Sequence, residues 1–159
     1  MAGGQDSMKP TNLKAVKDWV LMDYLTRGLK WDGDSRKINN SKSFMPLYIG
    51  VAYDCFAGRV FYLVHYGEQN GDLMADPEMN FLRINYSKTF IPILYRNDYV
   101  GVMNEAAWIE DGKMLAKVAE QHDMTDFANT WLSNIREQQN LQHIKEEGPR
   151  NGSSQGQAP

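Results

Sequence analysis

The stretch FYLVHYGEQNGDLMADPEMNFLRINY, residues 61–86, decides the fold. It begins and ends with runs rich in aromatic and branched apolar residues, which are typical of strands. Between them, residues 66–79 carry four carboxylates and are interrupted by an Asn-Gly and an Asp-Pro step. Such steps are typical of turns, so the stretch predicts two sheet strands joined by an acidic loop.

The segments on either side predict the rest of the sheet. Five strands are expected, at residues 47–55, 59–66, 79–86, 89–95 and 99–109. Because the connections between them are short, an antiparallel meander is favoured. Pro92 cannot donate a backbone hydrogen bond, which predicts an edge position or a bulge for the fourth strand. Residues 30–45 are expected to form a basic loop.

Two helices are expected to flank this sheet. Apolar residues recur at helical spacing over residues 11–29 and again over residues 123–139. Asp123 is expected to cap the second helix, and Trp131 to lie in the middle of its apolar face. The sequence therefore predicts an α+β fold: an antiparallel sheet of about five strands, with the N- and C-terminal helices packed on one face.

Length and composition predict a single domain over residues 11–140, with disordered tails at residues 1–10 and 141–159. The apolar share of 42% is enough for an ordinary core. A single cysteine, Cys55, rules out an internal disulfide and a zinc site built on a cysteine pair, which fits the cytoplasm. No apolar run reaches the ~20 residues of a membrane helix, so no membrane association is expected.

The charge distribution argues against direct nucleic-acid binding. The net charge is −3, and residues 46–112 contain four basic and nine acidic side chains. An acidic sheet region repels phosphate groups and attracts basic surfaces. We therefore expect a protein partner rather than DNA or RNA.

Four phrases carry a resemblance to a known family. They are HYGEQNGDLMADPEM (65–79), PILYRNDYVGV (92–102), the Asp-Gly-Lys turn (111–113) and DFANTWLSNIREQ (126–138). Together they resemble a family of uncharacterised small domains from phages, plasmids and conjugative elements of bacteria, found alone or beside antirestriction-type domains. The resemblance covers residues 47–139. It implies a mobile-element setting in bacteria, but no reaction and no catalytic residue.

The candidate site combines the acidic loop with the polar turn that follows the fourth strand. Its members are Glu68, Asn70, Asp72, Asp76 and Glu78 from the loop, and Tyr95, Arg96, Asp98 and Tyr99 from the turn. Carboxylates suit hard cations, and tyrosines offer a large amphipathic contact area. The Asn-Gly and Asp-Pro steps are equally well explained by turn chemistry. Architecture, partner contact and metal or catalytic chemistry therefore all remain open for the loop.

The sequence favours a non-catalytic binding protein. It has no phosphate-cradling Gly-rich loop, no GxSxG and no HExxH motif, so no catalytic residue, metal ligand or cofactor is predicted. The leading hypothesis is an accessory protein of a mobile element that binds another protein; one version is an inhibitor of a host defence or restriction factor whose acidic surface imitates DNA. The alternative is a small metal-dependent hydrolase or nuclease that uses the carboxylates of residues 68–78. A small-ligand sensor with a sheet-side pocket is a third possibility, and the oligomeric state stays open.

Overall fold

Residues 61–86 form most of one long antiparallel hairpin in the computed structural model, which describes residues 6–7 and 12–146. The two strands of this hairpin are Gly58–Gln69 and Asp72–Ile84, so the turn consists of Asn70 and Gly71 alone. Both turn residues have positive φ, 53° and 86°, as a two-residue Asn-Gly hairpin requires. The prediction of an acidic loop was therefore wrong. Most of its carboxylates lie on paired strands, because the Asn-Gly step by itself reverses the chain.

The described residues contain nine strands and two helices. In chain order they are β1 (Asp6–Ser7), α1 (Trp19–Thr26), β2 (Ser35–Ile38), β3 (Leu47–Cys55), β4 (Gly58–Gln69), β5 (Asp72–Ile84), β6 (Phe90–Asn97), β7 (Val102–Glu105), β8 (Ala107–Glu110), β9 (Lys113–Ala116) and α2 (Val118–Gln138). Six strands form the main antiparallel sheet, in the order β2-β3-β4-β5-β6-β7, and three form a small sheet, in the order β1-β9-β8. The α+β class is confirmed. The main sheet has six strands rather than about five, and the small sheet was not predicted.

Two strand predictions need correction. The segment expected to be a basic loop contains β2, which pairs with β3 through the register Arg36↔Ile49. The strand expected over residues 99–109 is divided at Ala106 between the two sheets. The N–H of Ala106 donates to the carbonyl of Ile93 at 2.8 Å, while the carbonyl of Ala106 accepts from the N–H of Lys117 at 2.9 Å. Bonding in both directions at one buried residue directs the chain from the main sheet into the small one.

Pro92 lies at a bulge, which is one of the two positions predicted for it; the other was an edge strand. The pairing of β5 with β6 matches Asn80 with Leu94 but Phe81 with Pro92, so one residue of β6 is left without a partner at this point. The strand is not at an edge, because β7 pairs on its far side. A bulge accommodates a residue that cannot donate to the ladder.

The first helix is shorter than the sequence pattern predicts. It begins at Trp19, where the Asp18 carboxylate accepts a hydrogen bond from the N–H of Leu21 at 3.0 Å. The preceding residues are held against other elements instead: the N–H of Val16 donates to the carbonyl of Phe90 at 2.9 Å. Tertiary hydrogen bonds thus replace the helix over the first part of residues 11–29.

The second helix is longer than predicted. It begins at Val118, before the expected cap Asp123, and no side chain in the described part of the chain caps its first turn. The added turn places Gln121 in the interior, where its amide donates to the carbonyls of Lys14 at 2.9 Å and Pro92 at 3.0 Å. Gln121 therefore ties the N-terminal segment and the bulge of β6 to the helix.

Apolar side chains pack on both faces of the main sheet. On one face, both helices cover the sheet, and Trp131 and Leu132 of α2 belong to the same cluster as Leu63 and Phe81. On the other face, the small sheet covers part of the strands through a second cluster that includes Met114. Both helices pack into the same cluster, while the small sheet, absent from the prediction, supplies the second layer.

Some of the residues assigned to tails belong to the fold. Asp6 and Ser7 pair with β9, and Leu141 is buried against the helical face. The other residues of 1–11 and residues 147–159 lie outside the described part of the chain. Residues 142–146 follow Leu141, and Ile144 packs against the same cluster. Neither helix of the described residues is long and apolar enough to cross a membrane.

Candidate functional site

Arg96 connects two strands, β5 and β6, with the turn after β6, and several predicted site residues lie on these elements. Its guanidinium donates to both carboxylate oxygens of Asp98, at 2.8 and 3.0 Å, and lies 3.6 Å from the Glu78 carboxylate across the ladder. Asp98 also accepts from the N–H of Ala75 at 2.8 Å, and its own N–H donates to the carbonyl of Ala75 at 2.9 Å. This group, Ala75, Glu78, Arg96 and Asp98, is called the Arg96 clasp below. It fastens the turn after β6 to β5.

The electrostatics of the Arg96 clasp differ between its two acids. Arg96 and the N–H of Ala75 hold the pKa of the Asp98 carboxyl below its usual value. Burial raises the pKa of the Glu78 carboxyl, while the charge of Arg96 acts in the opposite direction. Burial also raises the pKa of the neighbouring Tyr66 hydroxyl. Both carboxylates are thus engaged by one guanidinium, which occupies the space that a cation would need.

Two further contacts hold the same turn. The side-chain amide of Asn97 donates to the Asp76 carboxylate at 3.1 Å, and the Tyr99 hydroxyl donates to the carbonyl of Glu68 at 3.3 Å. The ring of Tyr99 lies against Gly67, where any Cβ would overlap its hydroxyl group. These contacts give Asp76, Asp98 and Tyr99 a structural role, because they hold the turn after β6 against the long hairpin.

The tip of the hairpin carries the remaining predicted residues. Asn70 forms the turn, and Glu68 and Asp72 are exposed on either side of it. They do not converge with the acids of the Arg96 clasp. Within residues 12–146, no three His, Cys, Asp or Glu side chains are grouped closely enough to hold a metal ion. The exposed acids at the tip therefore suit contact with a basic partner better than a metal centre.

Tyr95 lies on the opposite face of the sheet from Arg96, because neighbouring residues of a strand alternate between faces. Its ring packs against Phe127 of α2 at 5.3 Å between centroids. Phe127 stacks on Trp131 at 6.4 Å, and Trp131 meets the buried His65 edge-on at 5.6 Å. Burial lowers the pKa of the His65 imidazole. The structure thus separates Tyr95 from the other predicted site residues and places it in an aromatic row below α2.

A groove of about 280 Å³ runs between this aromatic row and β7. Its walls come from β6, β7 and α2 and are formed by Tyr95, Val102, Asn104, Glu120, Met124 and Phe127. Val102 and Phe127 are 43% and 41% exposed, so water reaches apolar surface on both walls. This site, called the β7 groove below, has a mostly apolar lining with one acid at its rim.

The outer edge of β7 is free within the described part of the chain. Asn104 lies opposite Tyr95, and two residues further along the chain the N–H of Ala106 donates to the carbonyl of Ile93. Since bonded pairs alternate in an antiparallel ladder, Met103 and Glu105 turn their N–H and C=O groups outward. Met103 is also 68% exposed. The edge therefore offers backbone hydrogen bonds beside an apolar groove.

The other edge of the main sheet is different. It is formed by β2, where the N–H of Val51 donates to the carbonyl of Asp34, so that Lys37 occupies an outward position equivalent to that of Met103. The Lys37 ammonium lies 5.6 Å from the ring centre of Tyr48. Lysine on an edge strand discourages pairing with another chain. Among the described strands, β7 is thus the main-sheet edge that presents an apolar residue at this position.

Sequence reasoning identified only Tyr95 among the residues of the β7 groove. The available signal was Val100-Gly101-Val102-Met103, where apolar residues follow a turn without alternating with polar ones. This run was predicted to belong to the fifth strand, and its pattern does not reveal which of its side chains stay exposed. Exposure of Met103 and Phe127 follows from strand order and helix position, which only the fold sets.

A family model described as "Domain of unknown function (DUF6908)" matches residues 21–141. The chain belongs to this family. The match to DUF6908 spans the long hairpin, the Arg96 clasp and the β7 groove, and it agrees with the resemblance to an uncharacterised domain family. No curated protein and no solved structure matches the chain. The DUF6908 description carries no activity, so any function has to be inferred from the geometry.

Proposed function

We propose that this DUF6908 protein is a non-catalytic binding module that captures an extended segment of a partner protein as an added strand on β7. The observation that carries the proposal is the edge of β7, to which no other strand of residues 6–7 and 12–146 pairs, beside an apolar groove roofed by α2. A sheet edge with an adjoining helix-lined groove is a recurrent arrangement for peptide recognition by strand addition.

The outward backbone groups of β7 set the register of the added segment. Met103 and Glu105 each offer one N–H and one C=O to a neighbouring strand. Their alternation along β7 fixes the register of any partner that pairs with them. Because β7 has only four residues, backbone bonds alone give weak binding, and side chains must contribute the rest.

The β7 groove supplies that side-chain contact. In an added strand, every second side chain points to the helical face of the sheet, where Val102, Met124 and Phe127 line the groove. Burying apolar surface contributes roughly 25 cal/mol per Å². The partner segment should therefore carry apolar residues at alternate positions.

The charges around the groove select basic flanks. Glu120 stands at the groove rim, and Glu68 and Asp72 are exposed at the hairpin tip. Tyr99, in the turn that leads into β7, donates to the backbone carbonyl of Glu68, so this turn ties the hairpin tip to the start of β7. Lysine or arginine beside the apolar residues of the partner complements this rim.

The biological setting of the proposal comes from the family resemblance. The protein would act in the cytoplasm of a bacterium, as an accessory protein of a phage or plasmid, and its partner would be a host defence or restriction factor. Expression in a host that carries a restriction system tests this setting: phage plating or transformation efficiency should rise with the native chain. A variant with a blocked β7 edge should lose the effect.

Selection from a displayed library of random peptides tests the binding site itself. On the immobilised full chain, enriched peptides should alternate apolar residues and carry Lys or Arg. The decisive variants are Met103→Pro and Lys37→Pro. Each removes one outward N–H from a free sheet edge and leaves the bonds to the neighbouring strand intact. Met103→Pro should abolish binding of the enriched peptides, whereas Lys37→Pro should leave it unchanged.

A matched pair of variants tests the acidic rim of the β7 groove. Glu120→Gln should lower the affinity for a lysine-containing peptide several-fold. The difference from the native chain should shrink at high salt, because salt screens the attraction between the charges. Glu137→Gln removes the same charge from an exposed position near the far end of α2 and should have no effect. Peptide binding that survives Met103→Pro contradicts the proposal. So does a change from dimer to monomer in Met103→Pro without peptide binding, which would make the edge an interface between two copies.

A further inference from the structure

A second concave site shares no lining residue with the β7 groove and is independent of the proposed function. It is a cleft of about 370 Å³ between the end of α1, the β3–β4 hairpin and the turn after β5. Three arginines line it: Arg27 follows α1, Arg59 lies at the start of β4 and Arg83 lies near the end of β5. Sequence analysis predicted nothing here, because the three residues are far apart along the chain.

Each guanidinium is held in place by an anchor. Asp54 accepts two hydrogen bonds from Arg59, at 2.6 and 3.1 Å, and the Leu29 carbonyl accepts a third at 3.1 Å. Asp23 is shared, since it lies 3.0 Å from Arg27 and 3.1 Å from Arg83. Fixing the arginines in advance lowers the entropy cost of binding a ligand.

The anchors do not neutralise the cleft. Three arginines face two aspartates, Asp23 and Asp54, so one positive charge is in excess. A guanidinium has five N–H donors, and Arg27 uses one of them on Asp23. A carboxylate can be satisfied by a single arginine in a bidentate pair, whereas a phosphate has more oxygens to satisfy. Three arginines around one cleft therefore favour a phosphate group.

The remaining walls of the cleft are apolar or aromatic. Leu29 and Phe61 line it with buried side chains, and Tyr86 stands at its rim with a 99% exposed side chain. Tyr86 has φ 51°, a left-handed conformation that is uncommon outside glycine. Its ring is free to stack on a planar group that enters the cleft, as aromatic side chains do with nucleobases.

We propose that this cleft binds a small organic phosphate that carries a planar ring, the chemistry of a mononucleotide. The phosphate lies among Arg27, Arg59 and Arg83, and the ring lies against Tyr86. The volume of the cleft is in the range of small-ligand sites. No bond is made or broken in this proposal, so the bound molecule is a ligand and not a substrate.

Cys55 provides a direct report of occupancy. It is the one cysteine of the chain, lines the same cleft and is partly exposed. A bound ligand should slow its reaction with a thiol reagent. We would measure this rate on the full chain, together with calorimetry, using AMP, adenosine, inorganic phosphate and benzoate as probes.

AMP should bind and slow the labelling of Cys55. Phosphate, which contacts only the arginines, and adenosine, which contacts only Tyr86, should bind more weakly than AMP. Arg27→Gln should lower the affinity for AMP about tenfold or more, because it removes a charge-assisted contact. Lys113→Gln, which removes a positive charge from an exposed position outside the cleft, should change nothing. In Tyr86→Asn the ring is lost, but asparagine tolerates the left-handed backbone at this position. The affinity for AMP and adenosine should fall, while the affinity for phosphate should stay the same.

Three results would overturn the proposal. The first is the absence of AMP and phosphate binding at millimolar concentration, with Cys55 labelling unchanged. The second is binding of benzoate in preference to AMP, which would assign the cleft to carboxylates. The third is AMP binding that Arg27→Gln leaves intact and that does not protect Cys55, which would place the ligand elsewhere. Thermal denaturation of each variant confirms that a loss of binding is not a loss of folding.

Discussion

Trp131 is the residue whose removal should damage the fold most clearly. Its side chain is 7% exposed and belongs to the cluster between α2 and the main sheet. Truncating a buried tryptophan to alanine costs about 3–5 kcal/mol. Two aromatic contacts, with His65 and Phe127, place Trp131→Ala in the upper half of that range, since each such pair adds roughly 0.5–1.5 kcal/mol. For a chain of this size the melting temperature should fall by about 10 °C or more.

Phe127→Ala is the matched control, because this ring lies in the same aromatic row but is 41% exposed. It should cost less than about 2 kcal/mol. Urea denaturation of the native chain and both variants measures the difference. A second readout is the His65 imidazole, whose pKa burial depresses; in Trp131→Ala its pKa should rise toward the ordinary value. A loss of less than about 1 kcal/mol in Trp131→Ala, with an unchanged His65 titration, would refute the reasoning.

The remaining predictions concern acids, histidine and metal ions. Because burial depresses the pKa of His65, the unfolded chain takes up a proton first, so stability should fall as pH drops below about 6.5. Denaturation of the native chain and of His65→Gln measures this, and their difference removes the opposite contribution of Glu78, whose pKa is raised. Asp98→Ala should lower the melting temperature clearly, because it leaves Arg96 and a backbone N–H without their acceptor, whereas Asp72→Ala should leave it nearly unchanged; equal effects would count against the Arg96 clasp. Calorimetry with Mg²⁺, Mn²⁺ or Ca²⁺ should show no binding at micromolar affinity, and tight binding that disappears on Glu78→Gln would restore the hydrolase hypothesis.

The different exposure of the predicted acids changes how the long hairpin is understood. Glu78 and Asp98 are held by Arg96 and stabilise the fold, while Glu68 and Asp72 are exposed and free to attract a basic partner. One set of acidic residues thus serves two purposes. Substitution of Glu78 therefore tests folding, and substitution of Glu68 tests binding.

The amino-acid sequence by itself determined the parts of the molecule that depend on local chemistry. The long hairpin follows from Asn70-Gly71, which tolerates the positive φ of a tight turn. The bulge follows from Pro92, which lacks an N–H. The burial of Trp131 follows from the 3.6-residue periodicity of α2. Each of these is encoded in neighbouring residues and needs no knowledge of distant ones.

Only the tertiary structure decided where the sites lie. The start of α1 at Trp19 depends on Phe90 holding the preceding segment, and the division of the predicted fifth strand depends on Ala106 bonding to Ile93. Likewise, the β7 groove exists because β7 falls at the edge of the sheet, and the arginine cleft because three separate elements meet. Strand order and long-range hydrogen bonds arise from the whole chain minimising its unpaired polar groups and exposed apolar area, which no local pattern records.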